Sequence, residues 1–299
     1  MLAMLDPLVS LAGLLVGFVV GLTGMGGGAL MTPLLVLLFG VEPLTAVSSD
    51  IVASLIMKPV GGAVHWRRGT VHKDLVLWLM VGSVPAAFGG VLLLKLFGTG
   101  ASMQNGVKTA LGIALLVVGG GLFLRPMLQR RHKSQDQSVG PIVARRFATV
   151  LVGILGGLVV GIASVGSGSL IIMCLLVIYP RIRLSQLVGT DLVQAIPLIA
   201  SAALGHILFG DFRLSLTASI LIGSIPGVYL GAQYSSRAPD RVIRPALIIV
   251  LATSGLKLLG VATMLVGAVG VGLVLAALTH GFLTARSRAQ IVQSVEPTS

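Results

Sequence analysis

One pattern occurs twice in this chain of 299 residues, and it restricts the possible folds more than any other feature. An apolar run is broken by a glycine-rich turn, and an acid and a histidine follow at matched distances. The first copy has Gly21, Thr23, Gly24, Gly26, Gly27 and Gly28 in and around its turn, then Asp50, His65, Gly69 and Gly82-Ser83-Val84-Pro85. The second has Gly161, Ser164, Gly166, Ser167, Gly168 and Ser169, then Asp191, His206, Gly210 and Gly223-Ser224-Ile225-Pro226. The turns recur at an offset of 140 and the later residues at 141, so a single inserted residue separates the two registers. Duplicated halves with interrupted apolar segments are the sequence mark of secondary transporters and of their binding sites.

The apolar runs belong in a membrane. The chain is 55% hydrophobic and only 10% charged, with a mean hydropathy of +1.03. Candidate segments are Leu8–Thr23, Ala29–Gly40, Leu44–Val64, Leu75–Phe97, Val107–Leu124, Phe147–Ala163, Leu170–Tyr179, Gln186–Phe209, Leu214–Tyr234, Val242–Leu259 and Val261–Leu283. Continuous apolar runs predict an all-α integral membrane protein, because a β-barrel would show short alternating segments. The net charge of +12 does not point to nucleic acid, since the basic residues fall in short loops beside the spans, where they orient the protein in the lipid bilayer. One cysteine, Cys174, rules out an intrachain disulfide and gives no sign of a thiolate metal site. No basic stretch precedes Leu8, so a cleaved signal peptide is not expected.

Topology follows from length and charge. Leu8–Gly40 holds 33 residues, too many for one ordinary helix and too few for two full spans. A hairpin of short arms returning to its starting side fits this length. With the basic stretch 125–146 in the cytoplasm and each glycine-broken unit a hairpin, Arg181, Arg183, Arg237, Arg241, Arg244, Arg286 and Arg288 also fall inside. So do Arg67, Arg68 and Lys73, leaving only Lys95 and Arg213 in outer loops. A single crossing per unit would move the first seven outside, against the positive-inside rule. The expected fold is therefore two inverted-topology repeats, each a glycine-broken hairpin plus about three spanning helices. Residues 1–124 form the first repeat, 125–146 a cytoplasmic basic linker, 147–260 the second repeat, and 261–299 a last span and cytoplasmic tail. The N-terminus is expected outside and the C-terminus inside.

Broken helices inside a bilayer expose backbone groups that must face protein or a cavity. Glycine allows positive φ and close approach, and the helix after each turn aims free N–H groups back at it. Gly24, Gly26, Gly27 and Gly28, with Gly166 and Gly168, are thus candidates to hold a small anion; close helix packing is the alternative. Gly17-xxx-Gly21 and Gly153-xxx-Gly157-xxx-Gly161 read as packing glycines. Thr23, Ser164, Ser167 and Ser169 are candidate hydroxyl donors to that anion, as is Thr32, although such groups also bond back to their own helix. Asp50 and Asp191 are candidate coupling groups, because an intramembrane carboxylate is expensive. Each follows a hydroxyl and opens an apolar run, so a helix N-cap fits equally. His65 and His206 could titrate near neutral pH or mark the ends of spans. Lys58, beside Pro59, has Ile199 as its counterpart, so any role for it is asymmetric. Two histidines and two distant acids lack metal-ligand spacing, and no cofactor is expected. A Ser167–His206 hydrolase pair lacks a third member, and Gly27 replaces Ser167 in the first copy.

The Gly21-Leu-Thr-Gly-Met-Gly-Gly-Gly28 turn and the Ala-Val-Ser-Ser-Asp50 segment resemble the sulfite exporter TauE/SafE family of membrane permeases. The resemblance runs from about Leu8 to Leu259 and includes the more degenerate second copy, with His206 and Gly210 downstream. It implies a bacterial inner-membrane permease for a small sulfur-containing anion such as sulfite or a sulfonate. It supplies no catalytic signature. The expected function is alternating-access transport, with proton coupling through the acids. An anion channel is the alternative, and an intramembrane enzyme is a more distant one. The anion, the direction, the coupling ion and the oligomeric state are not legible in these motifs.

Overall fold

The computed structural model describes residues 5–23, 27–67, 71–94, 96, 98, 100–134, 144–166, 168–179, 182, 184–234, 240–277 and 279. Among them lie eleven helices and no strand. They are α1 Pro7–Thr23, α2 Gly28–Leu37, α3 Pro43–Arg67, α4 Lys73–Leu94, α5 Ala101–Ser134, α6 Arg146–Ala163, α7 Leu170–Ile178, α8 Leu184–Phe209, α9 Leu214–Tyr234, α10 Asp240–Leu258 and α11 Thr263–Ala277. Each matches one apolar segment of the sequence. The boundaries follow local chemistry. Pro7 and Pro43 occupy first helical positions, where a missing N–H costs nothing. Asp6 Oδ1 accepts the amides of Leu8 at 2.8 Å and Val9 at 3.3 Å, capping α1. Helix α5 runs beyond its apolar part to Ser134, so the start of the basic stretch is helical.

Stretches of α4, α5, α6, α8 and α9 are long and apolar enough to cross a membrane, which makes this a multi-pass membrane protein. The arms α2 and α7, with 10 and 9 residues, are not. At about 1.5 Å per residue each covers roughly half of a hydrocarbon core about 30 Å thick. Large apolar side chains such as Leu11, Leu15, Leu77, Leu155 and Tyr229 are exposed on the outer surface, as a lipid-facing surface requires.

Two glycine-lined crossings organise the molecule. Helix α1 packs along α9, and α6 along α4. A Cβ on Gly13 or Gly17 would strike the backbone of Ile220 or Ser224, and one on Gly227 or Gly231 that of Leu14 or Phe18. In the second crossing Gly153, Gly157 and Gly161 lie against Leu79, Ser83 and Ala87, while Gly82 and Gly90 lie against Val150 and Leu158. Partners advance together along both helices, so each pair runs parallel. Without a hydrophobic force between helices in lipid, such backbone contact is a main source of association. Of the five glycines expected to serve packing, Gly17, Gly153, Gly157 and Gly161 lie against the backbone of a neighbouring helix, and Gly21 is left as an expectation. The next long contacts are α4 with α8, α3 with α8 and α5 with α10, and in the last two each helix meets its own counterpart from the other half.

The second hairpin is clasped at its open end. Tyr179, just after α7, has its hydroxyl 2.6 Å from Thr149 Oγ1 and accepts the Arg145 amide at 2.7 Å. At the first hairpin, the Asp6 amide donates to Ser219 of α9 at 3.0 Å. Thr45, at the start of α3, bonds Asp211 in the loop before α9. The residue before α1 and the start of α3 thus both lie beside the beginning of α9.

Candidate functional site

The tips of the two hairpins meet. Gly28 opens α2, and a Cβ there would overlap the carbonyl of Ser164, the residue that ends α6. Gly27 has more room, its nearest neighbours being Met57 Cε at 3.9 Å and Val20 Cγ2 at 4.0 Å. The second tip turns at Ser164, with φ of 58°, and Gly166, with φ of 112°. Ser164 is the sole non-glycine residue with positive φ among the described residues. Such a conformation costs roughly 1–2 kcal/mol for a residue with a Cβ. Gly24, Gly26 and Ser167 lie outside the described residues.

Asp50 receives both tips. Ser164 Oγ donates to Asp50 Oδ2 at 2.6 Å, and Thr32 Oγ1, in the first turns of α2, donates to the same oxygen at 3.1 Å. The carboxylate is buried, as is Thr32. One oxygen therefore gathers a hydroxyl from each hairpin. A capping role is excluded for both acids: Asp50 stands seven residues after Pro43, the start of α3, and Asp191 seven after Leu184, the start of α8.

Asp191 has different company. Its Oδ1 accepts from Gln194 Nε2 at 3.2 Å, and Gln194 Oε1 accepts from Ser83 Oγ at 3.1 Å. All three residues are buried. The Lys58 ammonium, two turns beyond Asp50 on α3, interacts electrostatically with both carboxylates. The sequence singled out the acid but not Gln194, whose signal was a lone amide inside an apolar run, one turn after Asp191.

His206 is fully buried and committed on both sides. Its Nε2 lies 2.8 Å from the Gly161 carbonyl and its Nδ1 2.8 Å from Ser48 Oγ. A carbonyl only accepts, so Nε2 carries the proton and the neutral ring accepts from Ser48 at Nδ1. This ring ties α3, α6 and α8 together. A Cβ on Gly210 would press on Ser48 Oγ and His206 Nδ1, which accounts for the glycine four residues later. His65 lies in α3, but its side chain is outside the described structure. Thr23 bonds back to the Val19 carbonyl at 2.8 Å. Ser169 precedes α7 without a side-chain cap bond, and Gly168 lies in the same turn.

The two halves also share a cross-repeat clasp. The Arg213 amide donates to Ser49 Oγ at 3.3 Å, and the His72 amide donates to Thr190 Oγ1 at 3.0 Å. Both members of these pairs differ by 141 residues. In each, the residue just before an acid holds the chain just before a helix of the other half. Around Ser49 further bonds accumulate: Thr217 Oγ1 donates to its carbonyl at 3.2 Å, beside the Thr45–Asp211 and Ser48–His206 contacts. No group of three or more metal-ligating side chains occurs among the described residues.

Comparison with known proteins finds probable membrane transporters similar to this chain. The Probable membrane transporter protein YjnA of Bacillus subtilis (strain 168) is 38% identical over 250 residues, covering 83% of this chain and 98% of that protein. The Probable membrane transporter protein YdhB of the same strain is 27% identical over 253 residues, covering 84% and 99%. A Probable membrane transporter protein of Xylella fastidiosa (strain 9a5c) is 27% identical over 234 residues, covering 76% and 83%. No solved structure matches. The profile of the sulfite exporter TauE/SafE family matches residues 9–258, a span that takes in both hairpins, both acids and both glycine crossings. The resemblance first carried by the Gly21–Gly28 turn thus extends over nearly the whole chain, which belongs to the sulfite exporter TauE/SafE family.

Proposed function

We propose that this protein is a secondary carrier, rather than an enzyme, for a small sulfur-containing anion such as sulfite or a sulfonate, in a bacterial inner membrane. The observation that carries the reading is the convergence of both hairpin tips on Asp50 through Ser164 and Thr32. Broken helices that meet deep in a bilayer must line a cavity or be buried in protein, and their free N–H groups suit an anion. The family profile and the transporters similar to this chain support the same class.

Alternating access between two inverted repeats is the accompanying mechanism. Parallel α1–α9 and α4–α6 crossings support it. So does the placement of the hairpins' open ends: one lies beside the start of α9, while α6 starts alongside α4, whose own start is clasped to Thr190 near the start of α8. In this reading the turns Gly24–Gly28 and Ser164–Ser169 hold the anion, and Asp50, Asp191, His65 and His206 are the coupling residues. Uptake of radiolabelled sulfite, sulfate and ethanesulfonate by proteoliposomes tests the proposal. Saturable flux with counterflow exchange is the expected result, whereas a large non-saturating conductance would replace the carrier by a channel. Reporter fusions should find the N-terminus outside and the C-terminus inside; both on one side would overturn the inverted arrangement.

A further inference from the structure

We infer that the transported anion and the Asp50 carboxylate compete for the same two hydroxyl donors, Thr32 and Ser164, so that the anion enters as Asp50 takes up a proton. This rests on the permease reading and specifies its coupling: an obligate proton–anion symport at one acid.

The geometry leaves little alternative use for these hydroxyls. A carboxylate can only accept, so both O–H groups point at Asp50 Oδ2 while it is ionised. Ser164 is fixed by the left-handed turn that ends α6, and Thr32 by the first turns of α2. Neither can reach a substrate without releasing Asp50. An anion at the tips would also face a carboxylate charge in a low-dielectric setting, a strongly unfavourable contact. Protonation removes both obstacles. The proton, taken from water on the entry side, binds Asp50; the carboxyl then donates an O–H, and the two hydroxyls turn to the anion. Three O–H donors meet the oxygens of a sulfonate or sulfite. When the anion leaves on the far side, the proton follows and the hydroxyls return to Asp50.

The surrounding charges suit this step. On its own helix Asp50 has Lys58, which keeps a cation near the anion. From α8 come Asp191, held by Gln194, and His206, whose ring is bonded to Ser48 and Gly161. The chain before α9 brings Asp211, bonded to Thr45 and ion-paired at 3.7 Å with the Arg213 guanidinium, and α5 carries Lys108. Helices α2 and α6 present only hydroxyls to Asp50.

Calorimetric titration of the purified full-length protein with sulfite, thiosulfate and ethanesulfonate, in buffers of different ionisation enthalpy, counts protons taken up per anion. Wild type should take up about one proton per bound anion through Asp50. Asp50→Asn should bind with that uptake abolished, and it supplies the baseline for protons the anion itself carries. Ser164→Ala and Thr32→Val should keep the proton and bind about 10- to 100-fold more weakly. If Asp50→Asn does not fold, these two variants carry the test. Binding without proton uptake, uptake unchanged in Asp50→Asn, or full affinity in Ser164→Ala overturns the competition and leaves the permease reading intact. No binding of any of these anions overturns the substrate class and this inference with it.

Discussion

Asp50 and Asp191 are the same residue of one duplicated motif, yet they stand in different chemistry. Asp50 is met by Thr32 and Ser164, one hydroxyl from each hairpin. Asp191 is met by an amide of its own helix, which is itself held by Ser83 of α4. The sequence counterparts show why the environments diverged. Ser164 corresponds to Gly24, Thr32 to Ile172, and Gln194 to Ala53. Duplication copied the acids, the glycine crossings and the clasps at Ser49 and Thr190. It did not keep the polar partners of the acids, so the repeats share a scaffold and divide the chemistry. In the competition inferred above, Asp50 works against the substrate, while Asp191 is held by Gln194 and lies within electrostatic reach of Lys58.

The largest test of that division lies at the tips. Gly28→Ala should push the two turns apart and lower transport on the order of 100-fold, because a displacement of about 1 Å at a site has that cost. Gly27→Ala, whose Cβ would meet only ordinary contacts with Met57 and Val20, should lower transport far less than Gly28→Ala. Equal behaviour of the two variants in a proteoliposome assay would separate the tip contact from function.

Next comes the part the halves hold in common. Gly157→Leu drives a side chain into the backbone of Ser83 and should lower stability by about 1–3 kcal/mol or more. Gly120→Leu, facing open space, should leave the melting temperature in detergent nearly unchanged. A third variant separates the acids. Gln194→Ala strips Asp191 and Ser83 of a buried partner and should cost about 1–3 kcal/mol of stability, with anion affinity little altered. A large rise in KM with no loss of stability would instead put Gln194 at the substrate.

The smallest effect concerns the strained turn. Ser164→Gly recreates the residue of the first repeat and relieves roughly 1 kcal/mol of left-handed strain, offset by the lost bond to Asp50. Ser164→Ala loses the bond and keeps the strain, so it should melt lower than Ser164→Gly. Equal melting temperatures would show that the backbone at Ser164 relaxes.

Much of the scaffold was legible in the residue order. Eleven apolar segments became eleven helices, because a lipid-exposed backbone has no better way to satisfy its hydrogen bonds. The glycines at 17, 153, 157 and 161 announced their packing role by spacing alone. The acids were visible as costly residues in apolar runs, but their position relative to the helix start was not. Ser-Ser-Asp50 and Gly-Thr-Asp191 look like caps, yet Pro43 and Leu184 begin their helices two turns earlier. Gln194 was passed over because a single amide has no periodicity to mark it.

What the sequence determined by itself is a membrane-embedded, duplicated helical chain with two broken hairpins, since hydropathy, chain length and repeat spacing are local properties. What only the tertiary structure decided is which hydroxyl reaches which acid. Thr32 and Ser164 lie 132 residues apart, and no local rule brings them to one carboxylate oxygen. They meet because the parallel glycine crossings fix where each hairpin enters, and backbone contact between Gly28 and Ser164 fixes where the tips end.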